Sequence, residues 1–340
     1  MENSAPPVII IGAGPSGLAA SACLARRGVD SIVLERDECV GSLGQKRAYD
    51  RLHLHLPKQA SALPHLPHAD DAPTYLPRDQ FVRYLDAYAD RFAVHARLRL
   101  RREVCSARFV DGYGTWRGTS WWPRGSSTRR WCPRCPGALD TFPDGAIHAS
   151  EYRSVEGMRG KEVLVVGCGN SGMEITLDMA QAGAAASIIV HAELHLMTRE
   201  IMNTSMALLA VFACRVVFGN TARPDVGSFT RKIQSNVYPV IDVGSYNKIK
   251  SDQTQVLPAM TSIEGDAMEF AGGERERFDT IVFATGYRST AKKWLKISQG
   301  GERAVPRGRG IYGSGTNEFI AEDISRQLRQ GSGGDDDDGI

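Results

Sequence analysis

Three glycines stand at a spacing that could seat a phosphate. Gly12, Gly14 and Gly17 follow the β-branched run Val8 to Ile11 and open the helical stretch LAASACLARRG, which Gly28 closes. Gly12 permits a tight turn, Gly14 lets backbone approach a pyrophosphate, and Gly17 lets helix and strand pack closely, with the helix N-terminus facing the phosphates. A second apolar run, SIVLE, ends in Glu35, where a carboxylate can accept hydrogen bonds from ribose hydroxyls.

The same grammar returns at KEVLVVGCGNSGMEITLDMAQAG. Strand Val163 to Val166 leads into Gly167, Gly169, Asn170, Ser171 and Gly172, then into a helix that ends near Gly183. The following run, SIIVH, ends in His191 rather than an acid, so nothing there repels a 2′-phosphate and NADPH is favoured over NADH. A third signal, FDTIVFATGYRS, is a strand stopping at the small-residue turn Ala284, Thr285, Gly286. Two complete dinucleotide units in one chain imply FAD together with a nicotinamide nucleotide.

These turns need an α/β scaffold to hold them, and 340 residues suffice for about two domains. A net charge of +2 gives no global field for nucleic acid or an anionic membrane. The N-terminus has no basic region ahead of a short apolar run, which argues against secretion. Met206 to Gly219 is the longest apolar stretch, but it is short for a span and contains Arg215. Seven cysteines, an odd number, suit a reducing compartment better than a disulfide framework, so the expectation is cytoplasmic. In LPRDQFVRYLDAYADRF, Phe81, Leu85, Tyr88 and Phe92 recur at helical spacing and read as core.

The motifs GAGPSGLA, LERDECVGSLGQKRAYDRLHLHLPKQ, FPDGAIHASEYRS, VLVVGCGNSGMEI, VIDVGSYNKIKS and FATGYRS together resemble the flavin-containing monooxygenases, within them the plant YUCCA type. The resemblance implies two Rossmann-like domains, the NADPH domain (about 151–274) inserted into a discontinuous FAD domain (about 1–150 and 275–330). It also implies hydride transfer from NADPH to FAD, reaction with O2, and oxidative decarboxylation of a 2-oxo acid, indole-3-pyruvate, to indole-3-acetate. The family pattern Phe-x-Gly-x-x-x-His-x-x-x-Phe/Tyr falls on Phe142, Asp144, His148 and Tyr152, with Asp144 in the glycine place. Where a related asparagine sits near the flavin, this chain has His55, followed by Lys58; these are the catalytic candidates. The alternative for His53 and His55 is an alternating strand with a half-buried face. Arg199 resembles an arginine that meets the NADP phosphate, and Gly44 stands where the family has tryptophan.

One stretch fits none of this. WWPRGSSTRRWCPRC, from Trp121 to Cys135, holds three of five tryptophans and four arginines, and no Val, Ile, Leu or Phe. Its Cys132 and Cys135 could serve a flavin disulfide reductase, yet they precede Gly167 rather than following it. Zinc would need further ligands at usable spacing, so no metal is expected. A third reading accounts for more. A GC-rich gene for RGTSWWPRGSSTRRWCPRCPG, read two bases later, can yield GHVVVATGEQHEAVVPEVPG, which contains the Ala-Thr-Gly strand the family needs here. On that reading the printed stretch is out-of-frame sequence and forms a loop, and the chain is either an active monooxygenase or a flavin-binding remnant with impaired turnover. The acidic tail at 331–340 reads as disordered.

Overall fold

The computed structural model describes residues 7–110, 113–119, 128–130, 145–190, 196–199, 240–289 and 295–296. The chain forms two compact units. Unit 1 takes residues 1–46, 56–128 and 289–340, and unit 2 takes 47–55 and 129–288.

Unit 1 opens with β1 (Val8–Ile11), α1 (Pro15–Arg26) and β2 (Ser31–Leu34), and β1 pairs in parallel with β2 residue for residue. Short helices α2 (Ser42–Lys46) and α3 (Lys58–Ser61) precede the amphipathic α4 (Arg78–Arg91) and a turn of helix, α5 (Val94–Arg97). Strand β3 (Leu98–Arg99) completes a three-stranded parallel sheet on β2. Leu85 and Tyr88 of α4 are buried against Leu18, Ala19 and Ala22 of α1, while Phe81 and Phe92 pack at the edge, as the helical spacing predicts. A hairpin of β4 (Glu103–Val110) and β5 (Tyr113–Thr119) follows, then β6 (Thr128–Arg130).

Unit 2 is built on a five-stranded parallel sheet. Its strands, in chain order, are β7 (Ala146–His148), β8 (Glu162–Val166), β9 (Ala185–Ile189), β12 (Thr254–Leu257) and β16 (Thr280–Phe283), in the spatial order β12-β9-β8-β16-β7. Helix α6 (Asn170–Gln181) joins β8 to β9, and β10 (Leu196–Thr198) pairs in parallel with β11 (Val240–Asp242) ahead of α7 (Ser245–Lys250). A three-stranded antiparallel sheet of β13 (Met260–Glu264), β14 (Ala267–Phe270) and β15 (Arg275–Arg277) buries Ile263, Met268 and Phe270 against β8 and β16. Both faces of this parallel sheet are covered, so β8 and β16 read as continuous apolar runs. After β17 (Tyr287–Ser289), β18 (Leu295–Lys296) returns to pair with β4 of unit 1.

The division differs from the sequence expectation at its edges. Residues 275–288 were assigned with the FAD part, but β16 lies between β8 and β7 and is hydrogen-bonded to both, which makes it interior to unit 2. Residues 47–55 also belong to unit 2. The alternating LHLH segment is no strand: His55 sits in a bend, and Pro57, extended at φ −65 and ψ 158, turns the chain into α3. Within Trp121 to Cys135, Thr128–Arg130 forms a short strand where a loop was expected. The rest of that stretch, with Cys132 and Cys135, lies outside the described residues, as do Phe142, Asp144, His191, Met206 to Gly219 and the tail at 331–340.

Candidate functional site: two glycine turns and a buried polar cluster

The two glycine turns are near-copies. Gly12 has φ +101 and Gly167 φ +110, both in the region that favours glycine. A Cβ on Gly17 would lie 1.9 Å from the Gly12 carbonyl oxygen, and a Cβ on Gly172 1.9 Å from that of Gly167. Strand and helix therefore meet at backbone distance in both. Gly14 and Gly169, the helix N-caps, have extended backbones, and a Cβ on either would meet nothing within 4 Å. Neither helix has a side-chain cap or an acid in its first turn. The first N–H groups of a helix lack intrahelical partners, and here the space before them is open. The residues fit a pyrophosphate at each turn.

Glu35 ends β2 with a buried carboxylate. Its oxygens accept the Ala13 N–H at 2.7 Å and the Asp37 N–H at 2.9 Å, which aims the group across the first turn. A carboxylate has about four acceptor positions, so two remain for ribose hydroxyls.

At the second turn, a Cβ on Gly167 would stand 2.8 Å from the Ala284 carbonyl oxygen and one on Gly172 3.3 Å from Ala284 Cβ. The Ala284-Thr285-Gly286 turn is thus packed directly against it. His148 holds this turn: the ring is buried, with Nε2 3.2 Å from the Gly286 carbonyl oxygen and Nδ1 2.9 Å from Ser150 Oγ. That gives the histidine of the motif a physical task. The motif tyrosine, Tyr152, donates to Asp178 at 2.5 Å.

The remaining sequence candidates fare differently. Asn170 Oδ1 accepts the Ile241 N–H at 2.7 Å and so ties α6 to β11. Lys58, the second catalytic candidate, donates its ammonium to the Ala69, Asp70 and Ala72 carbonyls at 3.3, 2.6 and 2.9 Å, one for each N–H. His55 stays neutral at physiological pH: burial first, then the Arg199 charge, lowers its pKa to about 4. Its Nδ1 has no hydrogen-bond partner among the described residues. Arg199 directly follows β10 and acts electrostatically on both His55 and Glu174.

Sequence reasoning missed Tyr49, Arg51, Glu174 and Asp178. Tyr49 donates to the buried Glu174 carboxylate at 2.6 Å, and Arg51 pairs with Asp178 at 2.8 Å. Burial raises the Glu174 pKa, against the Tyr49 bond and the charges of Arg199, Arg51 and His53; burial likewise raises that of Tyr49. The available signal was two acids four residues apart, Glu174 and Asp178, in an otherwise uncharged helix. Among the described residues, no three His, Cys, Asp or Glu side chains could hold a metal ion, and no helix is long and apolar enough to cross a membrane.

Comparison with known proteins places these turns. A family profile described as FAD binding domain matches residues 6–48, and one described as flavin-binding monooxygenase-like matches residues 133–219. Indole-3-pyruvate monooxygenase YUCCA1 of Oryza sativa subsp. japonica is 40% identical, over 97% of this chain and 94% of its own. Indole-3-pyruvate monooxygenase YUCCA6 of Arabidopsis thaliana is 39% identical, over 85% of this chain and 77% of its own. The chain belongs to the YUCCA family of flavin monooxygenases. Among solved structures, the flavin-containing monooxygenase from Stenotrophomonas maltophilia shares the fold at a TM-score of 0.71 and 19% identity, covering 96% of this chain and 98% of its own. OTEMO, in complex with FAD and NADP, gives 0.67 at 16% identity, covering 96% and 86%. As a YUCCA-family chain, this protein is a flavoprotein oxidoreductase that uses FAD and NADP.

Proposed function

We propose that this chain oxidatively decarboxylates indole-3-pyruvate: the 2-oxo acid, O2, NADPH and a proton give indole-3-acetate, CO2, NADP+ and water. The observation that carries the reading is the duplicated glycine turn, one copy in each unit, within a chain of this family. When bound, FAD and NADPH supply the hydride and oxygen chemistry.

The chain's own residues then have assigned tasks. In unit 1, Gly12, Gly14 and Gly17 leave room for the FAD pyrophosphate, and Glu35 accepts from its ribose. In unit 2, Gly167, Gly169, Ser171 and Gly172 receive the NADPH pyrophosphate, while Asn170 fixes the helix that presents them. Ala284, Thr285 and Gly286 wall the same turn under the hold of His148. Arg199 supplies positive charge toward the nucleotide or the substrate carboxylate, and His191 takes the place of a repelling acid at the 2′-phosphate. His55, kept neutral, offers a ring nitrogen without adding charge. We place the enzyme in the cytoplasm, with small-molecule partners only and no stable membrane insertion, in keeping with its near-neutral charge.

A second reading is favoured by Gly44. A Cβ there would stand 3.0 Å from Val82 Cγ2 of α4, so a larger side chain, where the family has tryptophan, would need Val82 to give way. On that reading the chain binds flavin but turns over poorly. The experiment is common to both: purify the protein, record the flavin band, and follow NADPH oxidation and indole-3-acetate formation with indole-3-pyruvate. Product formation supports the first reading; a flavin band without product supports the second; no flavin band refutes both.

A further inference from the structure

Residues 240–251, the motif VIDVGSYNKIKS, are fastened to the helix that opens the second glycine turn. The Ile241 N–H of β11 donates to Asn170 Oδ1 at 2.7 Å, and Asn170 is the first residue of α6. The Ser245 hydroxyl, at the start of α7, donates to the Met173 carbonyl at 2.7 Å. The Met173 N–H in turn donates to the carbonyl of Gly169, the N-cap, at 3.0 Å. Both ends of the first turn of α6 are therefore held from one segment.

That segment is itself constrained. Asp242 Oδ1 accepts the Tyr246 N–H at 3.1 Å and closes the turn between β11 and α7. Gly244 makes the turn at φ +115, and a Cβ there would lie 3.8 Å from Leu177 Cδ2 of α6. Parallel pairing, with Leu196 opposite Val240 and Thr198 opposite Asp242, ties β11 to β10 as well. Ser245 is 1% exposed, so it can influence a bound nucleotide only through the helix it holds. A hydroxyl buried to this degree costs free energy unless it is bonded, and the Met173 carbonyl satisfies it. An apolar side chain would fill the place with no such requirement, so the bond points to a task beyond packing.

We infer that Ser245 is a positioning residue for the nicotinamide nucleotide: together with the Ile241 N–H on Asn170, it fixes the first turn of α6, whose N–H groups face the open space at Gly169. A helix end frays readily, because its first N–H groups have no intrahelical partners. Held from the side, they keep the alignment that an anion requires. The inference rests on the Gly167–Gly172 turn being the NADPH site, and it gives the motif at 240–251 its task there.

The test uses the full-length flavoprotein, with NADP+ titrated calorimetrically and NADPH oxidation followed beside thermal unfolding. Ser245→Ala removes the hydroxyl and should raise the NADP+ Kd about 5-fold, which is about 1 kcal/mol. The KM for NADPH should rise with it, while kcat and flavin content stay within about 2-fold of wild type. Ile263→Val, in the cluster between β8 and the antiparallel sheet, is the control: it should lower the melting temperature by a similar amount and leave the NADP+ Kd within about 2-fold. A lowered stability with unchanged Kd in Ser245→Ala would show that Ser245 merely packs. Equal rises in Kd for both variants would show that affinity follows overall stability, which also overturns the inference. If Ser245→Ala does not fold, Ser245→Thr keeps the hydroxyl and Ser245→Cys offers a weaker donor. The Kd should then be close to wild type in the first and higher in the second, and equal values overturn the inference. Failure of the wild type itself to bind NADP+ takes down the site assignment as well; normal binding by Ser245→Ala takes down only the positioning role.

Discussion

Gly14→Ala and Gly17→Ala change the same fingerprint by one methyl each, yet the structure separates their effects. A methyl on Gly17 would lie 1.9 Å from the Gly12 oxygen, 3.1 Å from the Gly12 carbonyl carbon and 3.4 Å from Ile10 Cγ2. Non-bonded carbons prefer roughly 3.5 Å or more, so helix and turn must part by more than about 1 Å. Overpacking of this kind costs about 1–3 kcal/mol, and backbone against backbone puts it at the upper end. At about 2–4 °C per kcal/mol for a domain of this size, the apoprotein should melt roughly 6–12 °C lower. At Gly14 the φ of −78 suits any L-residue and the space is open. Alanine there restricts the unfolded chain, a gain of about 0.4–1 kcal/mol, offset by its weaker preference for an N-cap. The apoprotein should melt within about 3 °C of wild type, while flavin retention falls because the methyl occupies the pyrophosphate's approach. The assay is thermal unfolding of flavin-stripped protein beside the ratio of flavin to protein absorbance. Equal stability losses in the two variants, or full flavin content in Gly14→Ala, would refute the reasoning.

Other perturbations test other parts. Lys58→Met removes three hydrogen bonds, two of them exposed to water, and should cost about 1 kcal/mol, read as a lower urea midpoint, with the affinity for NADPH unchanged; a loss of turnover at unchanged stability would support the catalytic assignment. His191→Asp should weaken NADPH binding far more than NADH binding, and equal losses would show that the residue does not face the 2′-phosphate. The pKa of His55 lies below its unfolded value of 6.5, at about 4, so unfolding takes up a proton between those limits. Its contribution is therefore complete above about pH 6.5 and lost as pH falls toward about 4. The shift corresponds to about 3 kcal/mol at most. His55→Gln should accordingly flatten the fall in urea midpoint between pH 7 and pH 4.5. Replacing residues 118–136 with the shifted reading that contains VVVATG should raise flavin retention, whereas serine at Cys132 and Cys135 should change nothing; the reverse pattern would favour a disulfide reductase.

Both glycine turns were legible because their information is local. Strand, glycines and helix occupy about twenty consecutive residues, and sterics at Gly12 and Gly167 leave little choice of conformation. Misreadings occurred where a partner is remote in sequence. The LHLH alternation imitates a strand, but Pro57 and the packing of 47–55 onto α6 override it. The carbonyl partners of Lys58 come into view only once the loop at residues 69–72 folds back over it. β16 carries no mark in its own residues that it will lie between β7 and β8, since parallel pairing joins segments more than a hundred residues apart. Glu174 and Tyr49 needed the same long-range knowledge, because an acid inside GNSGMEITLDM discloses its partner only when residue 49 arrives.

The interleaving of the two units also sets the order in which this polypeptide can mature on the ribosome. β4 forms its hairpin with β5 early, but its second neighbour, β18, pairs Leu295 with Ala107 and emerges only after all of unit 2 has been synthesised. Unit 2 in turn waits for β16 before its sheet has an interior on the β8 side. Until then β4 and β8 each present an open hydrogen-bonding edge to the growing chain and to other nascent chains. Translation pauses between residues 166 and 296 would lengthen that exposure. Soluble yield should therefore respond to synonymous codon speed in this interval, with the mature amino-acid sequence left untouched.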